Sequence, residues 1–405
     1  MSRLAGPRRV PLTPSGDKVG ILRILLALAV VVGHVSNISL LGIMTPQEAV
    51  RIFFVISGFY IALILNKKYD SLYLFYSNRF ARLYPAYALT LLATIGWFWI
   101  YSAYTGQPSD PPWIAQAETG MPTWTWVALQ LSNVTMVGLD VPSLFHWKAG
   151  QGFLFLHGLE LGPTPDGAEP VGRFNWISQA WSIGAEVWFY MLAPFIVRRG
   201  LGAQIAVAAA SLALMSWMRM SELNAYFFFP ANLWLFVSGS ILFRLSRSRY
   251  FLAPDGAGYL ALGYICVATF GVGAIGDSVL HAAALALMAV CIPFLYATFS
   301  RKPWDAATGN LSYPVYLVHL LIIYISASLF HEVPAGVVIG ASLVVAAFIA
   351  HFVDAPMDRF RQRRVQRQAS ARGVEGQGPR SAMRRGAMPP AVASDSVQAR
   401  TAGRA

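Results

Sequence analysis

Ten stretches of this chain, about 16 to 21 residues long, are almost free of charge and about long enough to cross a bilayer as helices. That pattern limits the fold more than anything else in the sequence. The 405 residues are 56% hydrophobic and only 12% charged, too apolar for a soluble protein with a polar surface. The expected class is an all-α polytopic membrane protein of about ten transmembrane helices. The net charge of +12 does not point to nucleic acid. Much of it lies in the C-terminal tail and in short loops, where membrane topology accounts for it.

The spans are expected at 19–38, 50–65, 83–101, 178–197, 201–218, 226–243, 259–275, 279–299, 311–330 and 335–353. Residues 1–17 read as a disordered basic tail, 18–360 as the membrane domain, 105–177 as one long Trp-rich loop, and 361–405 as a second disordered basic tail. A loop of that length rich in aromatics is expected to be folded and functional. With ten spans, the basic clusters at the N-tail, Lys67 to Arg82, Arg198 and Arg199, Arg244 to Arg249, Arg301 and Lys302, and the C-tail all fall on one side. The opposite loops hold little beyond Lys148, Arg173 and Arg219. Both termini are therefore expected in the cytoplasm and the long loop outside. The first run is long and no small-residue cleavage site follows it, so it reads as a retained span of an inner-membrane protein. Cys266 and Cys291 fall inside spans and make neither a disulfide framework nor a metal motif.

Within the first span, Arg23 and His34 are 11 positions apart. At 100° per residue they share a face, about 16 Å apart along the axis. A cation and an imidazole on one face of a membrane helix are functional candidates by default. Arg23 taken alone fits snorkelling to the headgroups better; the pair on one face does not. Arg79 and Arg82 stand at the cytoplasmic mouth of the third span, spaced to clamp a polyphosphate. As a pair without other context, they fit ordinary inside-positive anchors better. Ser182 and Glu186 share a face of the fourth span. Glu186 is placed near the depth of His34, where a carboxylate can orient the imidazole, raise its basicity or bind acceptor hydroxyls; a structural bond between helices fits too. Tyr313, Tyr316 and His319 line one side of the ninth span, and Asp354-Ala-Pro356 closes the tenth.

Five segments then stand together: the Arg23/His34 pair, FFVISGF from Phe53 to Phe59 with Ser57 inside it, NRFARLYP from Asn78, AWSIGAEVWFY from Ala180, and LSYPVYLVH from Leu311. In this order and at these depths the chain resembles the acyltransferase-3 family of integral-membrane O-acyltransferases, from about Lys18 to Arg359. The resemblance implies transfer of an acyl group, often acetyl, from acyl-CoA to sugar hydroxyls of cell-envelope polysaccharide, peptidoglycan or glycosylated metabolites. It implies His34 as the catalytic residue and Arg23, Arg79 and Arg82 as donor-binding residues. In the family pattern the last core span often ends in Glu-x-Pro, where this chain has Asp354. No permanently bound cofactor and no metal is expected; acyl-CoA is a co-substrate. The expected partners are a carbohydrate acceptor and the lipid bilayer, with a second copy or a glycan-assembly protein left open, and no nucleic acid.

Physical reasoning leads to the same function. Phosphates would be held at the cytoplasmic mouth, with the thioester drawn up the first span to His34. His34 would act as general base on a hydroxyl entering from outside, since an imidazole titrates near neutral pH; a covalent acyl-histidine is the less favoured variant. A proton-coupled transporter or flippase for a glycan or lipid intermediate is the alternative. It should show motifs repeated in the two halves, and the motifs of the first four spans are not echoed later.

Overall fold

The computed structural model describes residues 19–35, 42–67, 71–106, 120–157, 166–248, 251, 253–330 and 333–375. Residues 1–18 and 376–405, which include the expected N-terminal tail and most of the C-terminal one, lie outside the described residues.

A helix occupies each of the ten expected stretches. In chain order the helices are α1 (Gly20–Val35), α2 (Pro46–Lys67), α3 (Leu72–Thr105), α4 (Thr123–Thr135), α5 (Trp181–Val197), α6 (Leu201–Met220), α7 (Phe229–Ser246), α8 (Ala257–Gly271), α9 (Ser278–Phe299), α10 (Pro303–Leu329), α11 (Ala335–Ile349) and α12 (Ala355–Glu375). Among the described residues, eight helical segments are long and apolar enough to cross a membrane; α1, with 16 residues, is shorter than this measure requires. α7 is not among the eight; Asn232 and Arg244 dilute its apolar run.

Contacts between helix ends fix the helix directions. The first turn of α1 meets the first turn of α10, where the buried Asp305 carboxylate accepts the backbone N–H of Gly20 (2.8 Å) and Ile21 (2.9 Å). An acid there satisfies two orphan donors and suits the positive end of the helix dipole. α8 ends where α2 is about to begin: Met44 N–H donates to Thr269 O (2.9 Å) and Gly273 N–H to Gly42 O (2.8 Å). α2 and α9 start side by side, with the His281 ring bonded to Glu48. The C-terminal ends of α2, α5 and α7 together line one cleft through Asn66, Val197 and Arg244. α6 and α7 form a hairpin in which Ser211 bonds Pro230 O (2.7 Å) and accepts from Trp234 N–H (2.9 Å). Consecutive spans thus alternate in direction.

α2 and α7 cross with their backbones in contact. A Cβ on Gly58 would lie 1.8 Å from Phe236 O, and one on Gly239 would lie 1.9 Å from Val55 O. Only glycine lets two backbones meet like this, the small-residue packing that membrane helices use in place of a hydrophobic drive. Phe236 then stacks between Phe54 and Phe189, both with ring centroids at 4.5 Å.

The structure corrects the sequence reading in three places. The third helix does not start at Leu83 or Tyr84. It begins at Leu72, capped by Ser71 Oγ accepting Leu74 N–H (3.4 Å), and runs through Pro85. Arginine lowers hydropathy without opposing a helix, so a basic helical segment looked like a connector. The loop at 105–177 breaks the all-α pattern. Besides α4 it carries a three-stranded antiparallel sheet of β1 (Phe145–Lys148), β2 (Gly152–Phe155) and β3 (Ala168–Pro170), in the order β2-β1-β3. Trp147, with Phe153 and Glu169 opposite it in the register, packs on Met121, Val171 and Phe174. This loop does not merely cap the bundle: Asn133 O accepts from Tyr87 of α3 (2.6 Å), and Asp140 accepts from Trp188 of α5 (3.0 Å). Finally, the tail expected to be disordered from residue 361 is helical as far as Glu375.

Candidate active site

Two polar layers lie inside the bundle, one at each end of α1. The first is built around Glu186, about one and a half turns into α5. Its Oε1 accepts from Ser57 Oγ of α2 (2.6 Å) and from the Tyr190 hydroxyl one turn along its own helix. Three arginines gather around this carboxylate. Arg23 donates from Nε to Ser312 Oγ (3.2 Å), its guanidinium 5.9 Å from the centre of the Phe53 ring. It lies within electrostatic reach of Glu186, Tyr190 and Arg82. Arg79 sits over the Tyr190 ring at 6.0 Å, with its buried Nε unbonded among the described residues. Arg82 sits over the Tyr313 ring at 5.7 Å and donates to Asp354 Oδ2 (3.1 Å). Tyr313 is anchored by its own hydroxyl, which donates to Leu83 O (2.9 Å). Asp354 closes a π-helical turn at Ala350–Asp354, a wide turn that breaks the regular register of α11 and α12 and is typical of functional positions.

The second layer lies around His34. Its Nδ1 is 2.8 Å from Val30 O. A carbonyl only accepts, so Nδ1 carries the proton and the Nε2 lone pair is free. The His319 ring lies 5.1 Å away, centroid to centroid, with its Nδ1 held in the same way on Tyr316 O (2.8 Å). The Tyr316 hydroxyl bonds both Gln179 O (2.9 Å) and Ser182 Oγ (2.7 Å). Gly33 lets the start of α2 press against α1 beside the histidine; a Cβ there would lie 2.6 Å from Pro46 Cγ. His34 is exposed into a cavity of about 480 Å³. Tyr316, Gln179 and Trp181 line it from the bundle, and Ser143, His146 and Arg173 from the long loop. It is a space in which the His34 ring faces an open volume beneath a folded cover.

A protein-family model described as an acyltransferase domain matches residues 18–353. The chain belongs to the acyltransferase-3 family. Neither a curated relative nor a solved structure matches it. Apart from Asp354, one residue past its end, the family match covers both polar layers, so this acyltransferase-3 chain holds its arginine layer and its histidine layer within one domain.

The structure brings together most of the residues singled out from the sequence, with one change of place. Arg23, Arg79, Arg82, Ser57, Glu186, Tyr313 and Asp354 meet in one layer; His34, His319, Tyr316 and Ser182 meet in the other. Glu186 does not orient His34. Its bonds go to Ser57 and Tyr190, and the neighbour of His34 is His319. One turn along α5 separates Ser182, in the histidine layer, from Glu186, in the arginine layer, a distance that counting turns from the helix end does not resolve. Sequence reasoning missed Tyr190, Ser312, Gln179 and His146. The first three had a signal, since each lies within a quoted motif or beside one. His146 had none, because its place depends on the fold of the loop.

Proposed function

We propose that this protein moves an acyl group, acetyl in the simplest case, from cytoplasmic acyl-CoA to a sugar hydroxyl of a surface glycan or glycosylated metabolite. In this reading the chain crosses the inner membrane ten times with both termini in the cytoplasm. The alternating helix directions and the one-sided basic loops support that topology. Arg23, Arg79 and Arg82 receive the donor phosphates, because guanidinium forks match phosphate oxygens. The thioester reaches His34 along α1, and the acceptor enters through the cavity beneath the loop. His34 Nε2 takes the hydroxyl proton while the oxygen attacks the thioester carbon. The C–S bond breaks, and the departing thiolate takes the proton back from the imidazolium.

The observation that carries this reading is the arrangement along α1, with a cationic layer at one end and an imidazole with a free lone pair, open to a cavity, at the other. The test compares surface glycan by mass spectrometry from cells with the protein, without it, and with His34→Ala. The acyl ester should be present only in the first. The purified His34→Ala protein should bind acyl-CoA as wild type does, with transfer reduced on the order of 10² to 10⁴-fold. Near-normal transfer by that variant would remove His34 from the mechanism.

A further inference from the structure

The cavity at His34 has a second imidazole in its wall, and the proposed reaction gives it no task. His146 is the second residue of β1, opposite Leu154 of β2 and Pro170 of β3. Side chains alternate along a strand, and Trp147 uses one face of β1 for the loop's own core, so His146 is turned to the other face. There it is only 3% exposed, yet it lines the same cavity of about 480 Å³ as His34. Among the described residues, neither of its ring nitrogens has a hydrogen-bond partner. Burial lowers its pKa from the ordinary histidine value, so the ring is neutral and carries one N–H donor and one lone pair. Buried polar groups are normally paired, and one that faces a cavity unpaired points to a ligand.

We propose that His146 is an acceptor-binding residue: it holds a second hydroxyl of the sugar whose reacting hydroxyl is presented to His34. The inference rests on the acyl-transfer reading of this cavity. A hydroxyl both donates and accepts, so it can use either nitrogen of a neutral imidazole, whereas a phosphate or carboxylate can use only the N–H. Arg173, the charged side chain in this wall among the described residues, is already bonded to Glu169, which leaves little free charge to draw an anion. The volume falls within the range of about 300 to 1,000 Å³ usual for small-molecule sites. Trp181 and Tyr226, with ring centroids 4.7 Å apart, add apolar surface against which the C–H groups of a sugar ring pack. A bond to a hydroxyl that does not react serves to orient the one that does. His146 takes no part in the proton transfer; it fixes which hydroxyl reaches His34.

The test uses everted membrane vesicles that carry the native glycan and the full chain. They are supplied with radiolabelled acetyl-CoA, and label entering the glycan is followed against acetyl-CoA concentration. His146→Phe keeps the bulk of the ring and removes both polar atoms. It should lower the labelling rate at saturating acetyl-CoA about 5- to 100-fold, the loss of one hydrogen bond to the acceptor. The apparent KM for acetyl-CoA should stay within about twofold of wild type, and the melting temperature of the purified variant should not fall. An amide has both a donor and an acceptor, placed near Nδ1 in Asn and near Nε2 in Gln. At least one of His146→Asn and His146→Gln should therefore recover most of the rate. Should the Phe variant not fold, His146→Ala takes its place under the same criteria. A wild-type rate without the imidazole overturns the proposal, and so does a loss that neither amide restores. Glycan left unlabelled by wild type, or labelled equally by His34→Ala, fails the transfer reading and this proposal with it. Labelling that needs His34 but ignores His146 fails this proposal alone.

Discussion

Arg79 and Arg82 stand one helical turn apart on α3, yet they are held differently, and the difference is measurable. Arg82 is paired with Asp354, the two side chains 11% and 5% exposed. Arg79 leans on the Tyr190 ring and has no carboxylate partner among the described residues. Arg79→Ala should therefore raise the KM for acyl-CoA by about tenfold or more with kcat and melting temperature little changed, since it removes a ground-state phosphate contact. Arg82→Ala should also lower the melting temperature, because it takes the Arg82 bond away from a buried carboxylate. Adding Asp354→Asn should recover much of that stability but none of the donor binding. Unchanged donor affinity in the Arg79→Ala protein by calorimetry would make that residue an anchor only. The shared face of Arg23 and His34 was legible in the sequence, because it depends only on the period of one helix. The Arg82–Asp354 and His34–His319 contacts were not. Each joins residues more than 250 positions apart, and no local rule sets which helices become neighbours.

At the scale of elements, the least legible part was the segment between α3 and α5. Its length and aromatics announced a folded unit, but not that it would reach into the bundle. Asp140, 2% exposed at the head of the short turn Val141–Leu144, ties it to α5 through Trp188. Burial raises this carboxyl to about 6, against the opposing effect of the Trp188 hydrogen bond. An unfolded Asp titrates near 4, so between those values the folded state holds the proton more tightly. Its stabilising contribution is complete below about pH 4 and is lost as pH rises through about 6. Asp140→Asn keeps a carbonyl for the Trp188 N–H and removes the charge. Its melting temperature in detergent at pH 7 to 8 should equal or exceed that of wild type, with a flatter profile between pH 4 and 6. A variant that melts lower across the whole range would mean that the anion, not the neutral group, holds the loop. α3 shows the opposite kind of illegibility. Its first three turns were hidden because hydropathy reports lipid contact, whereas Leu74, Phe75 and Asn78 are buried by protein.

At the scale of the molecule, the alternating helices make the topology a direct experiment. After Cys266 and Cys291 are replaced by Ala, a Gly150→Cys residue at the β1–β2 turn should react with a membrane-impermeant thiol reagent in intact spheroplasts, while fluorescent protein fused at either terminus should mature and glow. Labelling that requires permeabilised membranes would invert the orientation and put the donor layer on the wrong side. The way α1 is fastened has a consequence for selectivity. Asp305 grips its first turn, and the Gly33–Pro46 contact fixes its last. A helix clamped at both ends is a gauge of set length, about 16 Å from Arg23 to His34. On the proposed reading, that gauge measures the arm joining phosphate to thioester and rejects carriers that are too short or too long. Nothing of similar stiffness measures what lies past His34, where about 480 Å³ is shared between acyl group and acceptor. The fold would then be strict about the handle and tolerant of the cargo.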